Sequence, residues 1–165
     1  MTEKSTITRP VSTQVGLRTG ALALVSPARP QLADRRNLYL ATVAMRVVSA
    51  GMLVWIGYIH YHLWGAEGYK TIPTNGPLFL VDAIVAAVLA LAMLIFARPL
   101  TGLISAGFIV GTIGALVISL TVGLFGFKES IHAFFVIESL ILESIAAIIL
   151  AVWTVIAASA VPPRR

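Results

Sequence analysis

Histidine, aspartate, glutamate and arginine stand inside long apolar stretches of this 165-residue chain, as His60, Asp82, Glu138, Glu143 and Arg46. Charge is costly in such surroundings unless it is paired or turned toward a polar interior. Two carboxylates and an imidazole could ligate a divalent transition metal, carry protons or hold a small solute, and they could equally satisfy one another as a structural network. No spacing assigns catalysis: there is no Ser-His-Asp arrangement, no H-E-x-x-H helix and no glycine-rich phosphate loop. The chain has no cysteine, which excludes disulfides, thiolate metal ligands and thiol nucleophiles.

Helix rise places these groups by depth. Measured from one end of their apolar stretches, His60 lies roughly 6 Å in, Asp82 roughly 8 Å and Glu138 roughly 10 Å. His132 and Glu129 fall just above them, and Tyr58, Tyr61, His62 and Trp64 surround them. The expectation is one polar layer of His60, Asp82, Glu138 and His132 inside the bundle, facing outward from the cell. At 100° per residue, Arg46, Ala50, Leu53, Gly57 and His60 fall within about 40° of one direction, whereas His62 is roughly 200° from His60 and cannot share a metal with it. Glu143 aligns with His132 and Ser139, and Glu138 points elsewhere. Arg46 and Glu143 come within reach of two long side chains, so an intramembrane ion pair between the first and last helices is expected, the alternative being that Arg46 snorkels to the cytoplasmic headgroups and Glu143 stays protonated. Gly107, Gly111, Ala115, Ser119 and Gly123 recur every fourth residue and predict a packing ladder where a neighbouring backbone, or a second copy, can come close.

The elements that must position these residues are read from composition. Hydrophobic residues make up 58% and charged residues 12%, with a mean hydropathy of +0.93, so lipid is the expected solvent. Spans are expected at about 38–64, 77–96, 103–124 and 131–160, each long enough to cross a bilayer of about 30 Å. Asn75-Gly76-Pro77 marks one turn, Arg98-Pro99 a second and Gly126-Phe127-Lys128-Glu129 a third. Connections this short predict an all-α, transmembrane, up-down-up-down four-helix bundle over 38–161. Residues 1–37 are basic and rich in Ser, Thr and Pro; they read as a disordered tail that is a topology signal and a headgroup contact rather than a nucleic-acid arm. Cations gather on that tail, at Arg98 and at Arg164 and Arg165 in the closing segment 162–165, against Lys70 and Lys128 on the other side. By the positive-inside rule both termini are cytoplasmic, in a multi-pass protein of the cell membrane.

The first span, with Met45-Arg46, Ser49-Ala50-Gly51, Gly57 and Ile59-His60-Tyr61-His62-Leu63-Trp64, resembles the opening helix of DoxX-like four-helix membrane proteins. That resemblance covers about a quarter of the chain and implies a link to quinone-coupled redox chemistry and oxidative-stress complexes. Ile59-His60, Leu63-Trp64, Gly68-Tyr69, Ile72-Pro73, Gly76-Pro77-Leu78-Phe79-Leu80, Gly123-Leu124-Phe125-Gly126-Phe127, Glu129-Ser130 and Glu138-Ser139 resemble more closely a bacterial family of small four-span proteins without assigned activity. Neither resemblance supplies catalytic residues. Two functional expectations stand: a non-enzymatic accessory or interaction subunit, as a homo-oligomer or with a membrane-complex partner, and a DoxX-like site for a metal, a quinone or a small solute at the polar layer. No cofactor is required by any motif.

Overall fold

The computed structural model describes residues 36–159, with side chains from Tyr39 onward. The basic tail and the C-terminal arginines lie outside the described residues. Within them are four long helices, α1 (Arg36–Gly65), α2 (Asn75–Ile95), α3 (Pro99–Thr121) and α4 (Val136–Ser159), and one 3-10 turn at Tyr69–Thr71. There is no strand among the described residues. All four helices are long and apolar enough to cross a membrane, so the described residues form an all-helical bundle and the chain is a multi-pass membrane protein.

Local chemistry explains where each helix starts and stops. Pro99 opens α3, where its missing N–H leaves no bond unmade and its fixed φ suits the first turn. The helix therefore begins four residues before the expected span at 103. α4 begins later than expected, at Val136 rather than 131. Phe135 adopts φ 62°, and Gly123, Phe125 and Gly126 have φ of 91°, 50° and 80°. A left-handed residue cannot continue a right-handed helix, so this apolar segment folds as a loop across the bundle end. Leu124 and Phe127 exchange backbone hydrogen bonds there, and the Glu129 N–H donates to the Ser119 carbonyl.

The helices associate as two tight pairs, α1 with α2 and α3 with α4, joined mainly through α1 and α4; α2 and α3 barely meet. Glycine allows both close approaches. A Cβ at Gly57 would stand 3.2 Å from the Ala83 carbonyl oxygen and from the Ala86 Cβ, and one at Gly102 would overlap the Trp153 ring and the Thr154 hydroxyl. The core contains Leu53, Met93, Ile109, Leu150 and Trp153 and fills the half of the bundle nearest the Arg98 turn. Since lipid tails are as apolar as these side chains, their contribution in a bilayer is close packing rather than escape from water.

Arg46 belongs to that half as well. Its guanidinium donates to the Met93 carbonyl at 3.1 and 2.9 Å and to the Leu94 carbonyl at 2.9 Å. These are last-turn carbonyls of α2, left without intrahelical donors, and a cation there also meets the negative end of the helix dipole. The expected Arg46–Glu143 pair therefore does not form: Arg46 caps α2, and Glu143 lies in the other half of the molecule.

Candidate ligand cavity

Because α2 and α3 diverge, the half of the bundle nearest the 66–74 and 122–135 loops encloses a cavity of about 510 Å³. Each helix turns polar groups into it: His60 from α1, Asn75 and Asp82 from α2, Thr112 and Ser119 from α3, Ser139 and Glu143 from α4. Leu63, Leu78, Phe79, Phe108 and Leu116 supply much of the apolar wall. His60, Asp82 and Glu143 each lie one to two helical turns from the helix end at this side, so they share one depth.

The geometry at that depth is specific. The His60 Nδ1–H donates to the Ile56 carbonyl at 2.9 Å, since a carbonyl can only accept, which leaves Nε2 turned toward Asp82. Nε2 and Asp82 Oδ2 are 3.9 Å apart, longer than a hydrogen bond. Glu143 is 2% exposed, and its Oε2 has no hydrogen-bond partner. The Thr112 hydroxyl lies beside the Glu143 carboxyl and donates to the Ile109 carbonyl at 2.8 Å. Among the described residues lining the cavity there is no Lys or Arg.

Loops form the rim. The Tyr69 hydroxyl donates to Glu129 Oε2 at 2.7 Å, and its ring packs edge-on against Phe79 and Phe127 at 4.9 and 5.9 Å. Burial raises the Tyr69 phenol above its ordinary value, and the hydrogen bond and charge of Glu129 and the charge of Glu67 push the same way. The Asn75 amide donates to the Leu124 carbonyl at 3.2 Å, tying the start of α2 to the 122–135 loop. Thr74, Phe125 and Phe135 are the non-glycine residues with positive φ among the described residues; the two phenylalanines line the cavity and Thr74 adjoins Asn75, so backbone strain concentrates near the mouth.

The expected polar layer is thus rearranged. His60 and Asp82 face each other, but Glu138 is exposed on the outside of the bundle, where it accepts a 2.9 Å hydrogen bond from Trp55 Nε1. The late start of α4 explains both changes: Glu138 falls in the first turn, where a carboxylate suits the helix dipole, and Glu143 rises about 7 Å toward the depth of Asp82. His132 is exposed in the loop, its N–H donating to the Ser130 hydroxyl at 3.3 Å. The small-residue ladder is also corrected. Gly107, Gly111, Ala115 and Ser119 line the cavity, a Cβ at Gly107 or Gly111 would meet nothing within 4 Å, and Gly123 lies beyond the end of α3. Within this chain their small size makes space, and no neighbouring backbone approaches Gly107 or Gly111. Thr112, Asn75 and Tyr69 were missed by sequence reasoning; Thr112 and Ser119, seven apart on one helix face, were the available signal.

Among the described residues no three His, Asp or Glu side chains converge as a metal site requires. His60 and Asp82 offer two donors on an apolar wall. Compared with known proteins, the chain matches no family model, no curated protein and no solved structure.

Proposed function

We propose that this protein is a non-enzymatic membrane protein of the cell membrane, with both termini cytoplasmic, that binds a small amphipathic molecule in its bundle cavity. The observation carrying this reading is a cavity of about 510 Å³ whose apolar walls surround a few convergent polar groups. Small-molecule sites commonly span about 300–1,000 Å³ and have that composition. Exposure of Gly107 and Gly111 beside the divergence of α2 and α3 supports entry from the lipid side. Asp82 and Glu143 would orient the polar end of the ligand, His60 would hold Asp82 in place, and the aromatic rim would cover the apolar end. The DoxX-like resemblance of α1 adds a quinone to the candidate ligands.

The exposed small residues of α3 favour a second reading, an accessory subunit whose partner inserts a helix between α2 and α3. Native mass spectrometry of protein extracted gently from its own membranes separates the two. The ligand reading expects a bound small molecule that is lost when Ala115→Phe fills the cavity, with the helical spectrum unchanged. A co-purifying membrane protein with no small molecule would favour the accessory role.

A further inference from the structure

We infer that the cavity selects a lipophilic organic cation; this rests on the cavity being a ligand site. The acidic side chains lining it are Asp82, Glu129 and Glu143, with His60 the one basic side chain among the described lining residues. The described cations stand elsewhere: Arg46 is held by the Met93 and Leu94 carbonyls, and Lys70, Arg98 and Lys128 are exposed. The His60 Nδ1 proton is committed to Ile56. The Glu143 carboxyl therefore has no protein cation against it, and its buried Oε2 has no hydrogen-bond partner at all. A buried carboxyl without a partner avoids its charge by keeping a proton, and a cation brought in from outside is what lets it ionise.

The walls decide which kind of cation. A hard metal ion takes six or more oxygen ligands for calcium, or a tight octahedron for magnesium. About 510 Å³ lined by leucine and phenylalanine is too large and too apolar for either. Phe79, Phe108, Phe127 and Phe135 line the same space and present ring faces and edges that suit an onium group with apolar substituents. An anionic head would find no Lys or Arg among the described lining residues to pair with.

The test uses the full chain in phosphatidylcholine nanodiscs, with empty discs subtracted, and compares binding of tetraphenylphosphonium with neutral triphenylphosphine oxide. The expected result is saturable phosphonium binding about tenfold or more tighter than the neutral compound. Glu143→Gln and Asp82→Asn should each reduce that preference while keeping neutral-probe binding, which shows that the cavity survives. Glu138→Gln, outside the cavity, should leave it unchanged. Equal binding of both probes by the wild-type protein overturns the cation inference and leaves the ligand site standing. A preference that persists in both cavity variants also overturns it. If neither probe binds, the ligand-site reading fails with it.

Discussion

Glu143 is a residue the fold would be more stable without. At 2% exposure, its unpartnered Oε2 carries a desolvation cost of about 1–3 kcal/mol. Glu143→Met, close in volume and without the polar atoms, should raise thermal stability in detergent by about that amount while lowering the cavity's preference for a cation. A variant no more stable than the wild type would mean the carboxyl is satisfied by water. Tyr69 is the opposite case. Its hydrogen bond to Glu129 closes part of the rim, and Tyr69→Phe should lower stability by about 1 kcal/mol, a modest figure because the pair is half open to water. The raised phenol gives this effect a pH window. The folded state holds the proton more tightly than the unfolded chain, whose tyrosines ionise near 10, so the contribution is intact below about pH 10 and is lost as pH rises through the raised folded value. Denaturation of both proteins from pH 7 to 11 checks the window.

At the scale of elements, two glycines on α3 have opposite meanings. Gly102 lies against Trp153 and Thr154, so Gly102→Ala overpacks the α3/α4 contact and should destabilise the bundle by about 1–3 kcal/mol. Gly111 faces open space, so Gly111→Ala should change stability by less than about 1 kcal/mol, in the favourable direction if anything, since alanine favours the helix. Similar melting shifts for the two would contradict the packing described here. Arg46 tests the end of α2: Arg46→Met removes three hydrogen bonds to last-turn carbonyls and should cost about 1–3 kcal/mol. Element existence was legible because four apolar stretches of span length have no soluble alternative. The start of α4 was not. Residues 131–135 are as apolar as a helix needs, and only the backbone turn at Phe135 excludes them.

The whole molecule divides into a packed half around Trp153 and a hollow half around Glu143. Amide exchange should be slowest at Leu53, Met93, Ile109 and Leu150 and faster around the cavity, because local opening follows packing. The proposed orientation has its own check. With the cation-rich ends cytoplasmic, an impermeant thiol reagent should label Thr74→Cys but not Ala97→Cys in intact cells. The reverse pattern would invert the orientation.

Composition and hydrophobic run length were enough to determine the solvent, the helix count and the antiparallel order, because a bilayer leaves the backbone few other ways to satisfy its hydrogen bonds. The same reading isolated the ionisable residues whose burial demands a reason. Only the tertiary structure decided how they are used. A helix start five residues later than expected turned Glu138 outward and lifted Glu143 to the level of Asp82, and the divergence of α2 from α3 turned a small-residue ladder from a contact into the wall of a cavity. Helical periodicity reports which residues share a face of one helix. Whether that face meets a neighbour or empty space depends on how two helix pairs dock, and that is set by contacts between helices, such as Gly57 against Ala83 and Gly102 against Trp153, which periodicity along one helix does not report.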